Sequence, residues 1–394
     1  MIRRTLAVGS FPALLLACDV IGDDRSDAEW RDGLPRWTLQ SMPIVQIGGP
    51  DSEVPLYQAD IAELLSDGGS FIIANGGTAE ILKVATNGRV LARAGGRGSG
   101  PGEFRVLTLD VDRVTDEIWA LDRRSMRLTI FDGDLNLLET ITAPEVVQGS
   151  RFIGASGGIA YFARGGFLDV VEQTPVPPLT PIVVDRRGVS TIKGEFAVPL
   201  GINASWDFTP KSGVTAGLSG GAYPGVKQVL LADGVAIVDG RVGQVVFPDG
   251  DSIGIDAGCS TESLSPDAVE EAVAEHWSAM TWRNGEQTPD HVVDSIVGYV
   301  RQSIGGSVFS DALGAGDGTI WLRCLGGFDD PEAYWSIYDP VARRVIGGAV
   351  LSTQFKLLDV GRGGRVLLGN RDELGVEFVS LYDLVKVDGG HEPN

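Results

Sequence analysis

One pattern recurs along the chain and limits what it can fold into. A run of about four apolar residues is followed by a gap and a second apolar run that ends at a turn. The first runs lie at residues 71–74, 118–121, 160–163, 236–239, 320–323 and 366–369. Their partners end at Val84, Phe131, Val184, Phe247, Tyr338 and Tyr382, which makes six copies. Runs this short, rich in Ile, Val and Phe, read as strands. Ahead of each first run stands a pair suited to a tight hairpin: Asp67-Gly68, Thr115-Asp116, Gly157-Gly158, Asp233-Gly234, Asp317-Gly318 and Gly363-Gly364. Such residues accept the positive φ that a short turn needs. The 54 glycines among 394 residues favour many turns over long helices.

Each copy completes a strand–turn–strand–loop–strand–turn–strand unit, the four-stranded blade of a β-propeller. Residues 36–387, less a segment at 262–305 that breaks the pattern, divide into six units of roughly 50 residues, a propeller repeat length. The expected fold class is all-β: a six-bladed β-propeller with a helical hairpin inserted between the fourth and fifth blades. The hairpin is predicted from Ser265-Pro266-Asp267 and Thr288-Pro289-Asp290, each a cap, a proline and an acid at a helix start. Val269, Ala272, Val273, Trp277 and Met280 follow the first start at helical spacing, and Val293, Ile296, Val297 and Val300 follow the second. The hairpin either packs as a cap or serves as a lid over one end of the ring.

The chain opens with Arg3 and Arg4 and then an uncharged stretch at 5–17, too short to span a bilayer but suited to an export signal. That stretch closes on Leu15-Leu16-Ala17-Cys18, which resembles the bacterial lipobox. The resemblance implies lipidation of Cys18 and cleavage just before it. The expected organisation is a lipoprotein signal peptide at 1–17, an acidic tether at 18–35, the propeller at 36–387 and a tail at 388–394. The expected location is the cell envelope, facing the periplasm or the outside, with membrane contact through the lipid anchor alone. A formal charge of −21 repels phosphate backbones and argues against a nucleic-acid partner.

The stretch Gly95-Gly96-Arg97-Gly98-Ser99-Gly100-Pro101-Gly102-Glu103-Phe104, followed by Leu109-Asp110-Val111-Asp112 and Ile118-Trp119-Ala120-Leu121-Asp122, resembles the NHL-repeat class of six-bladed propellers. The segments Gly318 to Arg323 with Trp335 to Asp339, and Asn370 to Leu374 with Phe378 to Tyr382, resemble uncharacterised bacterial lipoproteins of the same class. These resemblances imply a fold and bring no chemistry with them.

In a propeller the inter-blade connections and the loops between second and third strands share one face, where binding sites usually lie. The ligand-binding candidates placed there are Arg97, Glu103, Asp122, Arg123, Arg164, Trp206, Asn370 and Arg371. Arginines suit bidentate contact with carboxylates. The alternative is that they pair with acids between blades. The run at 95–102 lacks the Gly-Lys-Ser/Thr ending of a phosphate loop. The Gly-x-Ser-x-Gly matches around Ser156 and Ser219 fall in a hairpin and a glycine-rich loop, not in a strand-to-helix turn. Asp132-Gly133-Asp134-Leu135-Asn136 begins like a calcium loop but lacks its later ligands, so it reads as a turn. His276, His291 and His391 have no metal-ligand spacing. Asp60, Asp110, Asp311 and Asp359 stand near strand starts without a common register. Cys259 and Cys324 either form a disulfide or remain as buried thiols.

No catalytic set, metal site or cofactor emerges. The expected function is a binding or scaffold module for a protein, peptide or glycan. The competing expectation is a metal-dependent hydrolase or lactonase of the six-bladed type, with calcium or another cation held in the channel.

Overall fold

The computed structural model describes residues 34–50, 52–165, 179–193, 226–240, 242–256, 259, 274, 289–295, 297–298, 309–324 and 331–387. It also gives, as backbone, the strands Leu6–Ala7, Phe167–Asp169, Gly201–Asp207 and Thr215–Gly221 and the helix Asp290–Ile304. The recurring unit is a four-stranded antiparallel meander. Sheet A comprises Ile61–Leu64, Ser70–Asn75, Glu80–Ala85 and Val90–Gly95. Sheet B comprises Leu107–Asp112, Glu117–Asp122, Arg127–Phe131 and Leu137–Thr142. Sheet C takes Arg151–Ser156, Ile159–Arg164, Thr180–Asp185 and Ser190–Ile192, and sheet D takes Val226–Leu231, Gly234–Asp239, Gln244–Val246 and Ser252–Gly254. Sheet E runs through Phe309–Gly314, Ile320–Cys324, Glu332–Asp339 and Arg344–Ser352. Sheet F contains Lys356–Val360, Arg365–Arg371 and Glu377–Val387, with Val45–Gly48 as its fourth strand. The recurring apolar pairs of the sequence are the second and third strands of these sheets.

The second strands are apolar through their middles because they are buried there on both faces. Ser70–Asn75 is buried at every position. Its side chains alternate between two wedges, as period-two geometry requires. Phe71 and Ile73 pack with Leu367, Val379 and Leu381 of sheet F. Ile72 and Ala74 pack with Leu109, Ile118 and Ala120 of sheet B. Ile118 and Ala120 thus face sheet A, while Trp119 and Leu121 face Ala160 and Phe162 of sheet C. The hydrophobic core is therefore a set of wedges between neighbouring sheets. The outer strand Val90–Gly95 alternates half-buried and exposed, as expected of a strand with solvent on one side.

The first strands touch one another in the order of sheets A, B, C, D, E and F, and the first strand of F touches that of A. This circular order is that of a propeller, with first strands around the axis. Closure uses the start of the chain. Glu377–Val387 pairs along one part with Val45–Gly48 and along another with Arg36–Leu39. Arg36–Leu39 also lies parallel to Arg344–Ser352, so sheets E and F become one nine-stranded sheet. Early and late residues are thereby locked together, and the sheet edges at the closure are paired.

The glycine-rich stretch is a plug. Phe104 is fully buried in the wedge between sheets A and B. Its N–H donates to Gly96 O at 2.9 Å, and Gly96 N–H donates to Ala79 O at 2.8 Å. Of the expected helical hairpin, the second helix is present as Asp290–Ile304, with Pro289 O accepting from Val292 N–H at 2.9 Å. It lies beside the strand Gly201–Asp207. Apart from Ala274, the remainder of the segment at 262–287 lies outside the described residues, as do Cys18 and both ends at 8–33 and 388–394. Cys259 and Cys324 form a disulfide with a Cα–Cα separation of 5.4 Å, which ties the chain after sheet D to the second strand of sheet E. Among the described residues no helix is long and apolar enough to cross a membrane.

Candidate functional site

An up-and-down meander sorts its connections into two ends. One end carries the loops between second and third strands and the crossings from sheet to sheet. The other carries the tight hairpins joining first to second and third to fourth strands. Arg97, Glu103, Asp122, Arg123, Arg164, Asn370 and Arg371 belong to the loop end.

There the segment 57–60 links two of them. Arg97 Nη2 donates to Gly77 O at 2.6 Å, and Gly77 N–H donates to Tyr57 O at 2.7 Å. Arg371 Nη2 lies 2.6 Å from Glu377 Oε1 and 3.9 Å from Asp60 Oδ1. Glu377 Oε2 in turn accepts from Ala59 N–H at 2.7 Å. Arg97 thus reaches the segment through Gly77, and Arg371 reaches it through Asp60 and Glu377. Tyr57 within it is 54% exposed, and Leu374, in the turn between Arg371 and Glu377, is 88% exposed.

The other candidates have local partners. Glu103 Oε2 accepts from Ser99 and Gly100 N–H at 2.9 and 2.8 Å, and Arg127 holds the carbonyls of Ser99, Gly100 and Glu103. Asp122 accepts from Val106 N–H, Arg124 N–H and the Ser125 hydroxyl. Burial opposes ionisation of Asp122, but these bonds prevail and hold its carboxyl below the usual value. Arg123 N–H donates to Val106 O, and Arg164 Nη1 donates to Val146 O at 3.3 Å. Asn370 Oδ1 is buried and has no hydrogen-bond partner among the described residues. The side chain of Trp206 lies outside the described residues. The 132–136 segment is a turn: Asp132 Oδ1 accepts from Asp134 and Asn136 N–H, and Asp134 pairs with Lys83 at 2.7 Å.

The axis carries a cluster that the sequence reading missed. Glu63, Asp110 and Asp359 occupy one register on the first strands of sheets A, B and F, each just before the residue that pairs with Phe71, Ile118 or Val366. Each carboxylate bonds to the next first strand around the ring. Asp359 Oδ2 accepts from Leu64 N–H at 2.8 Å, Glu63 Oε2 from Val111 N–H at 3.0 Å, and Asp110 Oδ2 from Ala155 N–H at 2.7 Å. Asp110 and Asp359 therefore do share a register, and the third member is Glu63, not Asp60 or Asp311. Glu63 stands eight residues ahead of Phe71, as Asp110 does of Ile118, but the shorter turn puts Asp359 seven ahead of Val366. A fixed offset from the turn's near side finds this pattern; one counted across turns of unequal length loses it.

Arg113 closes the cluster, with a terminal nitrogen bonded to Asp359 Oδ1 and 3.9 Å from Glu63 Oε2. Burial pushes the Asp110 carboxyl up to about 7 against the opposing pull of Ala155 N–H and Arg113, and a hydrogen bond links it to Glu63. Burial first, and then the charge of Asp110, push Glu63 well above the usual carboxylate range. Burial disfavours the Arg113 cation, yet Asp359 and Glu63 outweigh it and raise its basicity. The arrangement holds protons and ties strands together. It does not suit a metal ion, because a guanidinium stands among the acids and each carboxylate is bound to a strand N–H. Among the described residues no group of three or more His, Cys, Asp or Glu side chains is arranged to hold a metal.

A small cavity of about 30 Å³ opens beside this cluster at the hairpin end, the end opposite the sequence candidates. Arg113, Arg362 and Arg365 line it with Ser66, Gly316 and Gly361.

No protein-family model matches the chain, and no curated protein matches it. Solved structures do. A member of the DUF4221 family from Bacteroides vulgatus is 9% identical over 91% of this chain and 100% of its own, with a TM-score of 0.52. The calcium-binding protein regucalcin from Agrobacterium tumefaciens is 13% identical over 88% and 96% of the two chains, with a TM-score of 0.39. The β-propeller domain of Swd1 from Myceliophteria thermophila is 9% identical over 86% and 99%, with a TM-score of 0.37. The likeness to the first is one of fold alone. With the circular order of the first strands, it defines the class of this protein as a β-propeller.

Proposed function

We propose that the chain is an envelope lipoprotein, anchored through Cys18, whose propeller has six blades of NHL-like character and serves as a binding or scaffold module for a protein, peptide or glycan. In this reading residues 1–17 are the signal, 18–35 the tether, 36–387 the ring with its insertion at 262–305, and 388–394 the tail. The observation that carries it is the surface at 57–60: Tyr57 and Leu374 stand exposed beside a backbone braced by Arg97 and Arg371. Exposed aromatic and aliphatic side chains next to arginine, on a rigid frame, are the residue types that anchor partners. The axial acids weigh against a metal-dependent hydrolase, since their oxygens already serve neighbouring strands. The test is a photo-crosslinking residue at Tyr57, and in a parallel strain at Val341 on the hairpin end, in the membrane-bound protein. A discrete adduct from position 57 alone is expected. Equal labelling from both positions, or none from position 57, would overturn the binding face. A mature mass without acyl groups would overturn the anchor separately.

A further inference from the structure

We propose that the hairpin-end mouth of the ring is a binding site for a carboxylate group. The chain carries a formal charge of −21, yet the wall of this cavity holds three arginines and no acid. They arrive from two different turns, with Arg113 following the first strand of sheet B and Arg362 and Arg365 near the first strand of sheet F. Their own partners orient them without cancelling all their charge. Arg113 is neutralised by Asp359. Arg365 donates to Gly68 O and has its Nε 3.5 Å from Asp383. Arg362 is held through Nε by a neutral carbonyl, Gly316 O, at 3.3 Å, which positions the planar fork, and no acid among the described residues pairs with it.

The space is kept by glycines. A Cβ on Gly316 would meet Arg113 Nη1 at 2.6 Å, and one on Gly361 would meet Leu64 Cδ1 at 2.5 Å. Leu64 and Leu65 form an apolar wall behind the cations. A volume of about 30 Å³ admits one small anionic group. A carboxylate has the planar, two-oxygen shape that matches an arginine fork. Such a group comes either from a small free acid or from a polypeptide terminus or acidic side chain, and the recognition chemistry is the same.

Formate is the probe. Its NMR line width is followed as the full-length ring is added at constant ionic strength, with chloride as the balancing ion. Broadening that saturates, and that falls at least tenfold in apparent affinity in Arg362→Gln, supports the site. Because Arg362 is exposed, the variant is expected to keep the wild-type melting temperature, which separates loss of binding from loss of fold. Unchanged formate binding in Arg362→Gln, or equal displacement by chloride, overturns the proposal. Displacement of formate by Gly-Gly-Ala with a free C-terminus, but not by its amide, identifies a chain terminus as the source. Failure of both peptides to displace it identifies a small free acid; both results uphold the carboxylate site.

Discussion

Asp110 makes the stability of the ring depend on pH in a direction opposite to that of most carboxylates. Its folded carboxyl is pushed by burial to about 7, whereas the unfolded value is near 3.8. A group raised in this way contributes its stability in full below the unfolded value and loses it as pH climbs through the folded one. The ring is therefore expected to weaken between about pH 4 and pH 7. The slope per group is up to about 1.4 kcal/mol per pH unit, so Asp110 accounts for at most roughly 3 kcal/mol between pH 5 and pH 7. Glu63 is coupled to it and raised as well, so the two carboxyls together can lose up to about twice this figure in that window. Asp110→Asn keeps an oxygen for Ala155 N–H and has no proton to lose. Urea denaturation of wild type and variant at fixed ionic strength, at intervals from pH 5 to pH 7, measures the difference. The wild type is expected to lose stability across this range and the variant to lose markedly less. Groups outside the cluster are common to both proteins and cancel in the comparison. Parallel curves would refute the assignment of a raised carboxyl to this site.

The remaining predictions concern the same frame. Arg113→Met removes the cation from Asp359, which is almost wholly buried, and should cost about 3 kcal/mol or more in urea unfolding; no loss would mean that Asp359 does not depend on it. Gly154→Ala places a Cβ 2.6 Å from Asp110 Oδ2 and should lower stability by about 1–3 kcal/mol, with partial recovery in a combined Asp110→Ala variant. Phe104→Ala empties the plug between sheets A and B and should cost about 3–5 kcal/mol. Cys324→Ser opens a crosslink spanning 65 residues and should lower stability by about 4 kcal/mol on the chain-entropy model, read as a drop in melting temperature.

Much of the frame is legible in local residues. The pairs at 71–84, 118–131 and 366–382 became second and third strands because a strand buried on both faces must be apolar at successive positions. The turns followed from residues that tolerate positive φ, as at Gly68 and Gly363. The first strands were harder to read. Ile61–Leu64 is short and contains Glu63, which looks like a solvent-facing residue until its neighbours are known. The loop-end arginines were legible as charges, but whether Arg371 meets Glu377 or a ligand is a matter of distance, not of sequence.

What the chain determines locally is the recurring strand pair, the hairpins between strands and the alternation of side chains between two wedges, because each depends on residues close together. Ring closure decided the rest. Contact between consecutive first strands sets Glu63 against Val111, and only the contact of the last first strand with the first sets Asp359 against Leu64 and brings it to Arg113 beside Glu63. Burial at that meeting point raises the carboxyls and gathers the arginines of distant turns at one mouth. Charge and dielectric are properties of the assembled space, so the cluster and its cavity exist only once the circle is closed.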